Sequence, residues 1–185
     1  MSKILALDGS STVCGYTIWD KEKKECLKMD YLKFNSENTL IEKAEEFKLF
    51  LDNLLSTFSE IDEMVIEESF TKFSGSDDKV IAMLNQINIL YRYVCYMKGM
   101  KTNTITVQQA RKFALPGCKF VGKSKAGGLN QKEQAFLFLI AKIGEVYFPK
   151  KILKSGPRKG QEVFLDEARD MSDSYITGLG FLNRK

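Results

Sequence analysis

Four acidic residues sit where a charge is costly or where two charges lie side by side. Asp8 ends the apolar run Ile4 to Leu7, and the pair Glu67 and Glu68 closes the Met-Val-Ile run that follows Ile61. An uncompensated carboxylate at such a strand end is strongly unfavourable. Asp170 and Asp173, three residues apart in a helical segment, project as neighbours on one side of it. If the N-terminal end of that helix packs on the strand ends, Asp8, Glu67, Asp170 and Asp173 meet around a site able to hold two Mg²⁺ ions about 3.5–4 Å apart, with Mn²⁺ substituting. Such a pair activates water and stabilises the departing oxygen in phosphodiester hydrolysis. Singly, each acid also suits a plainer role: Asp8 a turn, Glu67 or Glu68 a solvated strand end, Asp170 and Asp173 a polar helix face. Strand alternation alone leaves open which of Glu67 and Glu68 faces the site.

Composition narrows the chemistry. The chain has 185 residues and no histidine, which excludes Ser-His-Asp and Cys-His catalysis. The four cysteines, Cys14, Cys26, Cys95 and Cys118, form no CxxC pair, so the common zinc sites are not expected. No small-molecule cofactor is expected. The net charge of +4 is unevenly spread: Arg111 to Gly160 carries +10, and the remainder −6. A basic region beside acidic segments suits a polyanion lying along one face. The opening MSKILALDGS lacks the apolar stretch of a signal peptide, and no apolar run is long enough to span a membrane. The expectation is one domain, residues 1–185, in the cytoplasm.

The acids must be held by an α/β arrangement. Ile4 to Leu7 and Val13 to Trp19 read as a hairpin, with a third strand from Cys26 to Phe34. Apolar residues at three- and four-residue spacing mark a helix over Asn38 to Phe58, followed by a buried strand from Ile61 to Glu68. Val80 to Met97 is helical and apolar on nearly all sides, and Asp77 and Asp78 suit its N-terminus. Thr102 to Val107 predicts a fifth strand and Gln108 to Ala114 a short helix. Pro116 to Leu129 reads as a glycine- and lysine-rich loop, Asn130 to Ile143 as a helix, Pro149 to Gly160 as a second basic loop, and Asp166 to Leu182 as a final helix. On that last helix Ala168, Met171, Tyr175, Leu179 and Leu182 form the expected packing stripe.

Three motifs resemble the RuvC-like Holliday junction resolvases. Asp8-Gly9-Ser10-Ser11-Thr12-Val13-Cys14-Gly15-Tyr16 resembles their opening D-P-G-S-x-x-x-G-Y, Ile66-Glu67-Glu68-Ser69-Phe70 resembles I-E-x-x-F, and Asp170-Met171-Ser172-Asp173 resembles D-x-x-D. Val107 to Lys112 and Lys132-Glu133-Gln134 are similar to the segments flanking the family's glycine-rich loop. The resemblance implies a ribonuclease H-like fold, a five-stranded mixed sheet flanked by helices with the first and fourth strands adjacent. Aligning Phe70 selects Glu67 as the site acid. It further implies a homodimer built on Val80 to Met97, branched DNA as substrate, Phe70 stacking on bases near the crossover, and Lys132 near the scissile phosphate. The basic loops offer Lys123, Lys125, Lys150, Lys151 and Lys154 as DNA contacts.

The chain departs from the family pattern at Gly9-Ser10, where the family has Pro-Gly, and in its longer basic loops, as phage-type relatives do. Those features leave junction preference open against forks and flaps. Asp166, one turn before Asp170, reads as an N-cap instead of a ligand. Asp8-Gly-Ser-Ser-Thr is also similar to the phosphate-binding hairpin of actin-like kinases, but no second such hairpin occurs. A binding module without catalysis would gain from losing the acids.

Overall fold

A computed structural model describes residues 2–68 and 78–184. Its main sheet has strands β1 (Lys3–Gly9), β2 (Val13–Asp20), β3 (Glu25–Lys33), β4 (Ile61–Glu67) and β5 (Lys101–Ile105), in the order β3-β2-β1-β4-β5. β2 runs antiparallel to both β1 and β3, whereas β4 is parallel to β1 and to β5. The first and fourth strands are neighbours, and the sheet is mixed, as expected. Phe70 and Asp77 lie outside the described residues.

Alternation along the strands sorts the core into two layers. Leu5, Leu7, Tyr16, Ile18, Met64 and Ile66 point toward α1 (Leu40–Thr57) and α2 (Asp78–Met97). Ile4, Ala6, Trp19, Val65 and Ile105 point the other way, toward α3 (Val107–Ala114), α4 (Gln131–Ile143) and α5 (Glu167–Asn183). Asp8 continues the series of Ile4 and Ala6, and Glu67 that of Val65. Both acids therefore belong to the α5 side of the sheet, which decides between Glu67 and Glu68 on geometry.

Local signals start the helices. Thr39 and Glu42 make a capping box at α1, Asn130 and Glu133 make one at α4, and Thr106 caps α3. α5 starts differently. Asp166 occupies the cap position, but its backbone is already helical at φ −64° and ψ −34°, and its side chain makes no capping bond. The N-cap expectation for Asp166 is thus corrected: a side chain reaches back to the first amides only from an extended cap residue.

Two further expectations are revised. The second basic loop contains a hairpin of β6 (Lys150–Ile152) and β7 (Glu162–Phe164), closed at its base by the Leu165 amide donating to the Pro149 carbonyl. Phe148 and Phe164 pack edge-on against Phe136 of α4 and anchor it. α5 is also buried well beyond its apolar stripe, taking Ser172, Ser174, Thr177, Gly178 and Gly180 into the interior. Those small residues let the helix lie close on the sheet: a Cβ at position 178 would overlap the Trp19 indole. The Trp19 Nε1 donates to Thr17 Oγ1 (2.8 Å), which donates to the Ser174 carbonyl (3.1 Å), so these three buried polar groups satisfy one another.

α2 buries one face, with Ile87, Tyr91 and Val94, and leaves Val80, Met83, Ile89, Tyr93, Tyr96 and Met97 exposed. Among the described residues, no helix is long and apolar enough to cross a membrane.

Candidate active site

The site grows from a close approach of backbones. Asp8 pairs with Gly15 across β1 and β2, and a Cβ on Gly15 would overlap the Asp170 carbonyl. Glycine here lets the first turns of α5 settle directly on the strand beside Asp8. On the other side, Leu7 is in register with Ile66, so Asp8 and Glu67 follow next to each other at the ends of parallel strands. Asp170 and Asp173 complete the set from α5. Two strand ends and one helix thus bring together four carboxylates separated by up to 165 residues in the chain.

Lys132, in the first turn of α4, reaches into this group. Its Nζ donates to Asp170 Oδ1 at 2.9 Å, lies 2.9 Å from Asp173 Oδ2 and 3.8 Å from Asp8 Oδ2. The four acids and Lys132 have a formal charge of −3, which one ammonium does not balance. Burial first, then repulsion from Asp173, Glu67 and Asp170, holds the Asp8 carboxyl well above the usual range. Burial and Asp173 push Glu67 up to about 7, against the opposing pull of Arg111 and Lys132. Burial likewise raises Asp173, although Lys132 and Arg111 oppose it. Burial disfavours the Lys132 ammonium, but Asp8, Asp173 and Asp170 outweigh that and keep it firmly protonated.

This donor set suits hard divalent cations, since it is all oxygen and short of positive charge. Among the described residues, no three metal-ligating side chains stand close enough to share one ion as they are. The Lys132 ammonium bridges Asp170 and Asp173 and occupies the space between them. Asp8, Glu67, Asp170 and Asp173 are the residues that would hold metal, with Lys132 displaced from among them.

Asp8, Glu67 and Asp173 line a cleft of about 640 Å³ together with Lys132 and with Arg111 and Lys112 of α3. Arg111 stacks over Phe120, 5.5 Å from the ring centre, and its Nη1 lies 3.4 Å from Gln131 Oε1. Sequence reasoning did not single out Arg111 as a site residue, although it opens the +10 segment. It also missed Gln134, buried in α4, whose side chain bonds to Val121 and to the Leu129 carbonyl. Gln134 thereby ties down the loop holding the exposed Lys123 and Lys125. Lys151 and Lys154 are exposed on the hairpin, away from the four acids. Lys150 is already engaged by Glu145 (2.7 Å) and Glu162 (3.0 Å). Asp166 points to solvent and takes no part.

No family model and no curated protein sequence matches the chain. Solved structures do. RuvC from T. thermophilus in complex with a Holliday junction substrate is 13% identical, with a TM-score of 0.59 over 96% of this chain and 92% of that one. Thermus thermophilus RuvC alone is 14% identical, with a TM-score of 0.56 over 94% and 92%. The yeast mitochondrial Holliday junction resolvase Ydc2 is 10% identical, with a TM-score of 0.56 over 98% and 78%. At such identities the likeness is one of architecture: the chain has the ribonuclease H-like fold seen in RuvC and Ydc2.

Proposed function

We propose that this protein is a divalent-metal-dependent endonuclease that cuts branched DNA, with the four-way Holliday junction as its substrate. The observation that carries the reading is the gathering of Asp8, Asp170 and Asp173 on Lys132, beside Glu67, at a cleft that Arg111 and Lys112 also line. Its fold is shared with a RuvC bound to a junction.

Bound Mg²⁺ would supply the activated water and the charge stabilisation that phosphodiester cleavage needs. The four carboxylates hold it. Lys132, once released from the acids, presents its ammonium to a phosphate oxygen at the cleft floor. Arg111, braced on Phe120, holds the backbone entering the cleft, and Lys123, Lys125, Lys151 and Lys154 hold the flanking arms. Phe70 is proposed to stack on bases near the crossover.

The exposed apolar face of α2 is the natural surface for a two-fold contact between copies, because a soluble monomer rarely leaves so contiguous a patch uncovered. A two-fold dimer matches a substrate that needs symmetric nicks in two strands. The test is incubation with labelled four-way junction, fork, flap and linear duplex in Mg²⁺ or Mn²⁺, beside an Asp8→Asn control. Paired nicks on the junction, leaving ends that ligase seals, are expected. Preferential cutting of forks or flaps would replace the substrate with another branched DNA, and equal cutting of linear duplex would leave a general nuclease.

A further inference from the structure

Asn88 is a polar residue on the buried face of α2, only 7% exposed. Its side-chain amide donates to the Glu67 carbonyl at 2.7 Å, while its Oδ1 has no hydrogen-bond partner among the described residues. One turn further, the Tyr91 hydroxyl donates to the Ser10 carbonyl at 3.1 Å. The Tyr91 ring lies on Gly9, where a Cβ would overlap it. Residues three apart share a helix face. That face therefore grips the end of β4 at Glu67 and the β1–β2 turn immediately after Asp8.

Between helix and strands lies a cavity of about 20 Å³ bordered by Asp8, Glu67, Leu84 and Asn88. That is room for one water, given polar partners. A buried amide oxygen left without a donor is unfavourable, and a water in the cavity would offer Asn88 Oδ1 the partner it lacks. We infer that Asn88 is a positioning residue for the acid site: it fixes the backbone of Glu67 through the carbonyl, and so the strand end from which the carboxylate projects to the opposite face, while one water in this cavity would complete the hydrogen bonds of Asn88. Tyr91 does the same for the turn that aims Asp8. Groups that orient metal ligands in this way govern affinity for the ion without touching it.

This inference rests on the metallonuclease reading, and direct Mn²⁺ binding by calorimetry tests it apart from turnover. Asn88→Leu keeps the shape and removes both polar atoms. It is expected to weaken Mn²⁺ binding about tenfold, with circular dichroism and the metal-free melting midpoint close to wild type. Tyr91→Phe should give a smaller loss in the same direction. Should Asn88→Leu fail to fold, Asn88→Ser, which leaves space for water, serves in its place with the same expectation. Wild-type affinity in the folded variants would overturn the role of Asn88. If the wild-type protein itself bound no Mn²⁺, the metallonuclease reading would fall first and the inference with it.

Discussion

Gly15 and Asp170 touch backbone to backbone: the missing side chain of one is the space filled by the carbonyl of the other. β2 contributes no acid to the site, yet this contact sets how near α5 comes to Asp8. Gly15→Ala should push α5 off the strand, lowering stability by about 1–3 kcal/mol, the usual range for overpacking. Cleavage should fall further than stability does, because Asp170 and Asp173 move with the helix. Thermal melts paired with junction cleavage check this, and wild-type values in both would show that Gly15 does not set the position of α5.

Each acid can be tested alone. Asp8→Asn, Glu67→Gln, Asp170→Asn and Asp173→Asn should reduce cleavage by orders of magnitude while junction binding, measured by gel shift in Ca²⁺, survives. A variant that still cut at near wild-type rate in Mg²⁺ would show that its residue does not hold metal.

The raised carboxyls make metal-free stability depend on pH with a definite sign. Between about 4.5 and about 7, Glu67 keeps its proton in the folded protein and loses it in the unfolded chain. Asp8 and Asp173, also raised, act in the same direction. The folded state then binds more protons, so stability falls as pH rises through that window. The Glu67 share is at most about 3 kcal/mol. Melting in chelator from pH 4.5 to 8 should show the decline, and Glu67→Gln or added Mg²⁺ should flatten it. A midpoint that climbed across the window would contradict the assignment.

Lys132 occupies oxygens of the acids proposed to hold metal. Lys132→Gln should tighten Mn²⁺ binding severalfold in calorimetry, because no ammonium need be displaced. The same change should slow cleavage by about 10²-fold, since the phosphate oxygen at the cleft floor then has no ammonium to meet it. Weaker metal binding in Lys132→Gln would mean that the lysine organises the acids instead of competing for them.

The lysines of the basic segment should not be equivalent. Junction affinity is expected to fall steeply with salt, and replacing Lys123, Lys125, Lys151 or Lys154 by Ala should lower the slope by about 0.9 for each phosphate no longer neutralised. Lys150→Ala should change it least, since Glu145 and Glu162 already neutralise that side chain.

Much of this arrangement was legible in the chain itself. Alternation through Ile4, Ala6 and Asp8 places the acid on one side of the sheet, and the spacing of Asp170 and Asp173 places two more on one helix side. The burial of Ser172, Ser174, Thr177, Gly178 and Gly180 was not legible, because small polar residues read as a solvated face until Trp19 and Thr17 are known to lie opposite. β6 and β7 escaped notice because three residues are too few to show a period of two. The pairing of Lys150 needed Glu145 and Glu162 brought together in space, which their positions along the chain do not reveal. Asn88 was hidden for a similar reason, its partner being a carbonyl, which carries no sequence signature.

The position of α5 bears on how the protein is made. Asp8 and Glu67 leave the ribosome early, whereas Asp170 follows Glu67 by 103 residues. At about 5–20 residues per second, that gap lasts roughly 5–20 seconds. Throughout it the nascent chain carries only half of the acids proposed to cut DNA, while the lysines proposed to hold it are still being added. Synthesis order would thus act as a safety catch, withholding the proposed cleavage until α5 docks on the finished sheet.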